Sequence, residues 1–164
     1  MRPDVYWVRE VGPLRLAIAP RPRAGEWLDD ELANWRREGV DVVVSLLEPH
    51  ELRDLDLGDE ASSCATHGLR HVAFPITDRS VPAQHGAVAA LADALVADLR
   101  AGRGIVVHCR AGIGRSGLIA ACTLTRLGHA PADAFAMLTR ARGVQVPDTD
   151  EQERWVEAFH RACN

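Results

Sequence analysis

Gly104-Ile105-Val106-Val107-His108-Cys109-Arg110-Ala111-Gly112-Ile113-Gly114-Arg115-Ser116-Gly117 is the stretch on which the reading of this chain turns. Ile105-Val106-Val107 is a short β-branched run of the kind buried on both faces of a parallel sheet. From Arg115 to Leu127 the sequence is apolar almost all round, the pattern of a central buried helix. Between the two, a cysteine ends the strand and a loop with two glycines leads straight into the helix N-terminus. Such a loop can turn successive backbone N–H groups inward and form an anion nest. Gly112 and Gly114 permit positive φ and close approach of an oxyanion. The helix dipole and Arg115 add positive potential at the loop centre, a setting that favours a thiolate at Cys109. A thiolate beneath a phosphate-sized cradle is an activated nucleophile. The planar fork of Arg115 can bind two phosphoryl oxygens at once.

Working outward, strand patterns fall at Leu14 to Ala19, Val40 to Leu47 and Leu69 to Ile76, with an edge strand at Val5 to Arg9. Helix patterns fall at Trp27 to Glu38, Glu48 to Leu55, Ala83 to Ala101, Ala130 to Ala141 and Thr149 to Cys163. Val88, Leu91, Leu95 and Leu99 make one apolar stripe on the longest of these. Strands alternating with helices imply an α/β fold: a mainly parallel sheet of four to five strands flanked by helices. The expected organisation is one catalytic domain over 1–164. Catalytic groups in such folds sit beyond the carboxyl ends of the strands, which directs attention to the residues after Val107 and Ile76.

Composition narrows the chemistry. All 19 basic residues among the 164 are arginine, so a Walker A loop, a Schiff-base lysine and a lysine general base are excluded. A net charge of −4 gives no reason to expect nucleic-acid binding. No apolar run approaches the roughly 18 residues of a membrane span, and Met1-Arg2-Pro3-Asp4-Val5 lacks the apolar core of a signal peptide. These features read as a cytoplasmic protein. Cys64, Cys109, Cys122 and Cys163 stand far apart, neither a disulfide framework nor a zinc site, and the seven histidines have no metal-ligand spacing. Trp7, Trp27, Trp35 and Trp155 fit core or half-buried faces.

The loop His108-Cys109-Arg110-Ala111-Gly112-Ile113-Gly114-Arg115-Ser116 resembles the Cys-x5-Arg signature of cysteine-dependent protein tyrosine and dual-specificity phosphatases. Nearly the whole chain is similar to the compact members of that superfamily, of the kinase-associated phosphatase type. The resemblance implies an enzyme without metal or other cofactor, acting through a phosphocysteine. In it Cys109 is the nucleophile, and Arg115 with the amides of Arg110, Ala111, Gly112, Ile113 and Gly114 binds phosphate, or an oxyanion inhibitor in its place. Asp78, in Phe74-Pro75-Ile76-Thr77-Asp78-Arg79-Ser80-Val81-Pro82, is the counterpart of the general acid; the alternative is a turn or helix N-cap aspartate. Ser116 is the hydroxyl that eases breakdown of the phosphocysteine, or a plain N-cap. His108 orders the loop. Strand alternation places it on the opposite face from Cys109, against a Cys–His dyad.

Gln152 resembles the glutamine that positions water in the second step; a solvated first-turn residue is the alternative. Arg79 and Arg110 either add potential at the phosphate mouth or are ordinary solvated arginines. Cys64 is either a packing cysteine or a trap for an oxidised Cys109. The implied substrate is a phosphorylated protein. Rival readings are a phosphatase of an inositol phosphate, phosphoinositide or RNA 5′-phosphate, a rhodanese-like sulfurtransferase, and a phosphate-binding module without turnover. The absence of lysine disfavours a polyanionic lipid headgroup.

Overall fold

The computed structural model describes residues 4–163. Five strands form one sheet in the order β1-β2-β5-β3-β4. They are β1 (Tyr6–Trp7), β2 (Arg15–Ala19), β3 (Val42–Ser45), β4 (Arg70–Ala73) and β5 (Gly104–His108). All neighbours run parallel except β1, a two-residue antiparallel edge strand on β2. The last strand in sequence is thus the middle one in space. It lies between β2 and β3 with Val107 opposite both Ile18 and Val44. All five of its residues are buried, as the β-branched run requires.

Alternation along the central strands divides the interior into two cores. Leu16, Ile18, Val42, Val44, Ile105 and Val107 face one way, and Ala17, Ala19, Val43 and Val106 face the other. The first set packs on α4 (His85–Arg100), α5 (Arg115–Arg126), α6 (Pro131–Arg142) and α7 (Asp150–Cys163). The second packs on α1 (Leu28–Arg37) and α3 (Glu60–Thr66), with Trp35 and Cys64 inside. α2 (Pro49–Asp54) follows β3 at the carboxyl end of the sheet. Every residue of α5 from Arg115 to Thr125 is buried, because α4, α6 and α7 surround its free sides. α6 stops at Gly143, whose φ of 84° is the left-handed conformation of a C-terminal cap.

Two expectations need correction. Glu60 to Thr66 is a helix, α3, that periodicity did not reveal: Glu60-Ala61-Ser62-Ser63-Cys64-Ala65-Thr66 has a single larger apolar side chain, Cys64, and its other buried residues are Glu60 and Ser63. Trp27 is neither core nor half-buried. It is 53% exposed on a 3-10 turn before α1, its ring under the Arg23 guanidinium at 5.6 Å.

Phe159 anchors α7, fully buried and stacked on Trp155. Phe159→Ala is expected to destabilise the protein by about 3–5 kcal/mol in urea unfolding, the range for emptying a large aromatic site.

Candidate active site

β5 ends at His108, and the loop from Cys109 to Gly114 connects it to α5. The loop's carbonyls are engaged on its outer side. Arg21 N–H donates to Arg110 O at 3.2 Å. Arg142 donates through Nη2 to Ala111 O and through Nε to Gly112 O, both at 3.2 Å, while its guanidinium lies over the Tyr6 ring. In a trans peptide the N–H points opposite to the C=O. The amides of Ala111, Gly112 and Ile113 are therefore turned inward, toward Cys109, as an anion nest demands.

The two loop glycines are needed for different reasons. Gly112 has φ of 73°, and a Cβ there would meet Pro20 N at 2.4 Å. Gly114 is not left-handed; its φ is −79°. Its constraint is space, since a Cβ would stand 2.9 Å from both Asp148 Cβ and Gln152 Nε2. The expected positive φ at Gly114 is thus replaced by a close approach of α7.

Arg115 opens α5 and is 2% exposed. Its Nη1 donates to Glu51 Oε1 at 2.7 Å and to Ile76 O at 3.0 Å, and its Nη2 donates to Glu51 Oε2 at 3.0 Å. This end-on pairing leaves Nε–H and the second Nη2–H as the donor edge that Glu51 does not use. Nη2 is also 3.0 Å from Asp78 Oδ1. Burial pulls the Arg115 guanidinium down, but Glu51, Cys109 and Asp78 together raise it above its ordinary value. Burial pushes the Glu51 carboxyl up, yet its bond to Arg115 and the Glu48 N–H hold it below the usual range. Glu51 owes its position to a capping box: it is the third residue of α2, behind Pro49, and its Oε1 accepts Glu48 N–H at 3.0 Å. That Glu48-Pro49-His50-Glu51 pattern is the one sequence signal that could have singled out Glu51.

Cys109 is buried, and its Sγ lies 3.3 Å from Ser116 Oγ. The N-cap of α5 is Gly114, so Ser116 sits inside the first turn and does not cap it. Asp78 is half exposed and lies in the turn closed by Ser80 N–H to Thr77 O at 3.0 Å, six residues before the Gln84 N-cap of α4, so it is a turn residue that caps no helix. Asp78, Arg79, Cys109, Arg110, Ala111, Gly114, Arg115, Asp148 and Gln152 line one pocket. Arg79, at φ of 57°, pairs with Asp148 at 2.7 Å. Gln152 is buried, contrary to the solvated alternative. It takes the N–H groups of Asp148 and Thr149 on Oε1, donates from its backbone to Thr149 Oγ1, and donates Nε2 to Ser80 O at 3.2 Å. The capping box of α7 thereby ties down the segment that carries Asp78.

On the other face of the sheet, His108 is fully buried with Nε2 2.8 Å from Glu60 Oε2. His71 Nε2 reaches the same oxygen at 2.9 Å. Burial pushes the Glu60 carboxyl up, but His108 and His71 outweigh it and hold it at about 2. Glu60 has no sequence signal, because its partner is 48 residues away. Cys64 belongs to this second core while Cys109 belongs to the first. Burial and Glu60 push the Cys64 thiol up to about 12.

Glu51→Ala strands a buried guanidinium and is expected to cost about 3–5 kcal/mol in denaturant unfolding, with much of the loss recovered in the apolar double variant Glu51→Leu with Arg115→Met. Glu60 contributes stability that is present above pH 4.5, its ordinary value, and is lost as pH falls toward about 2. Acid unfolding of the unaltered protein should therefore show a loss in that window that Glu60→Gln does not.

The family described as polymorphic toxin system, DSP-PTPase phosphatase (Tc-R-P) matches residues 18–129, which include Asp78 and the whole Cys109–Arg115 loop. No curated protein matches the sequence. Solved structures share the fold. Kinase associated phosphatase (KAP), with its catalytic-site cysteine substituted by serine, aligns with a TM-score of 0.89 at 19% identity over 99% of this chain and 97% of that one. Tk-PTP in the active form aligns at 0.79 and 23% identity over 98% and 99%. PTPMT1 in complex with PI(5)P aligns at 0.75 and 18% identity over 91% and 92%. At these identities the likeness is one of fold. The family match covers more than half of the chain, and with the loop and pocket described above it makes this chain a member of the DSP-PTPase phosphatase family of polymorphic toxin systems, a cysteine-dependent phosphatase of the dual-specificity kind.

Proposed function

We propose that the chain hydrolyses phosphomonoesters on proteins through a phosphocysteine at Cys109, with residues 1–164 acting as one catalytic unit. The observation that carries this reading is that Cys109, Arg115 and Asp78 line one pocket. Nucleophile, oxyanion donor and proton donor thus line the same space.

In the first step Cys109 Sγ forms a bond to phosphorus as the ester P–O bond breaks. Charge on the equatorial oxygens is met by the inward amides of Ala111, Gly112 and Ile113 and by the Nε/Nη2 edge of Arg115, where the phosphoryl oxygens take the place of Asp78 Oδ1. Because Glu51 holds the other edge, that fork arrives already oriented. Asp78, as the carboxylic acid, gives its proton to the leaving oxygen. In the second step Asp78, now the carboxylate, takes a proton from water, the water oxygen bonds to phosphorus, and the S–P bond breaks. Ser116 hydrogen-bonds the departing thiolate across the 3.3 Å separation. Gln152 holds the Asp78 segment through Ser80 and offers its second amide proton to the attacking water.

The rim favours a phosphoprotein over a polyphosphorylated headgroup. It has no lysine, and of its two arginines beyond Arg115, Arg79 is already paired with Asp148. No helix among the described residues is long and apolar enough to cross a membrane, and we place the protein's action on cytoplasmic phosphoproteins.

Purified protein is expected to hydrolyse an aryl phosphate in the presence of a chelator, and Cys109→Ser to reduce turnover to background. Asp78→Ala should slow esters of poor leaving groups about 100-fold or more and good ones much less. Equal slowing of both in steady-state assays would remove Asp78 from the acid role.

A further inference from the structure

Glu60 receives two imidazoles on one oxygen. His108 Nε2 and His71 Nε2 stand 2.8 and 2.9 Å from Glu60 Oε2, and Glu60 Oε1 is buried with no hydrogen-bond partner. An ionised carboxylate only accepts, so both Nε2 atoms donate. The other nitrogen of His108, Nδ1, lies 3.3 Å from the carbonyl oxygen of Cys109, which also only accepts. A neutral ring with its proton on Nε2 would turn the Nδ1 lone pair against that carbonyl. A ring carrying both protons satisfies both neighbours. A fully buried carboxylate with one oxygen unbonded also needs compensating charge beside it, which neutral donors do not supply.

We propose that Glu60 is the counter-ion of a doubly protonated His108, and that the clamp from Glu60 through His108 to the Cys109 carbonyl makes Glu60 a positioning residue for the Cys109 loop. This rests on Cys109 being the nucleophile. The surroundings of His108 support the assignment. It faces the Trp35 ring of α1 at 5.9 Å, has Ser45 and Ala19 as register neighbours in β3 and β2, and meets Glu60 from α3. The other titratable groups around Glu60 are His71 of β4 and Cys64, whose thiol stays neutral. Glu60 is therefore the anion that sets the charge of the ring. The ring in turn places a fixed positive charge behind the strand end that bears Cys109 and pins the carbonyl from which the loop departs.

The test uses the full chain and two readouts that need no turnover. In Glu60→Gln, which keeps the shape and removes the charge, the pH midpoint of Cys109 alkylation by iodoacetamide is expected to rise by at least one unit. That corresponds to about tenfold slower alkylation on the acidic side. Glu60→Asp should restore part of the shift. A folded Glu60→Gln with an unmoved alkylation profile overturns the proposal. If Glu60→Gln does not fold, nitrogen-15 spectra of the unaltered protein decide: two protonated ring nitrogens on His108 at neutral pH support the clamp, and a singly protonated ring refutes it. Failure of the Cys109 mechanism would show separately, as activity surviving Cys109→Ser.

Discussion

A guanidinium buried in the first turn of a helix is the feature around which this molecule is arranged. Arg115 stands at the positive end of the α5 dipole and is almost wholly out of water, two unfavourable settings for a cation. Local preference would put an acidic side chain there. Glu51 makes the position tenable with a bidentate pair, and the carbonyl of Ile76 takes a third bond. Each compensating group uses the Nη end of the fork, so the remaining donor edge is held fixed and faces the pocket. A site that violates a local rule and is compensated from distant elements is where function is to be expected.

The fold supplies that compensation through strand order. With β5 between β2 and β3, and β4 beyond β3, the segments after β3 and β4 both reach its carboxyl end from the same side. The first brings Glu51 on α2, and the second brings Ile76 and Asp78. α6 and α7 complete the ring, Arg142 bracing the outer carbonyls of the loop and Gln152 fastening the segment that carries Asp78. The loop is thus shaped by contacts to its carbonyls, and its inward amides follow from peptide planarity. Much of the loop's geometry is in this sense a by-product of where the backbone's oxygen atoms are tied.

How much of this could be read in the chain depends on how local the signal was. The strands, the buried α5 and the Cys109–Arg115 loop carry their signals within a few residues, and each lies where periodicity and turn chemistry placed it. Helix α3 escaped because two of its three buried residues, Glu60 and Ser63, are polar, so no apolar stripe marks it. Glu51 and Glu60 escaped because their meaning lies in partners 64 and 48 residues away. Their burial looks prohibitive in a sequence and becomes intelligible only beside a cation. Trp27 was misplaced because helical spacing continues into a turn that faces solvent. Gly114 was credited with a backbone freedom it does not use, when the constraint is the side of α7 pressed against it.

The proposed turnover passes through one covalent bond, between phosphorus and Cys109 Sγ. The most direct measurement is acid quench of the enzyme mixed with excess aryl phosphate, followed by peptide mass spectrometry. A phosphoryl group on the peptide containing Cys109, appearing before steady state and gone when substrate is exhausted, is the predicted result. A phosphoryl group on any other residue during turnover would contradict the account.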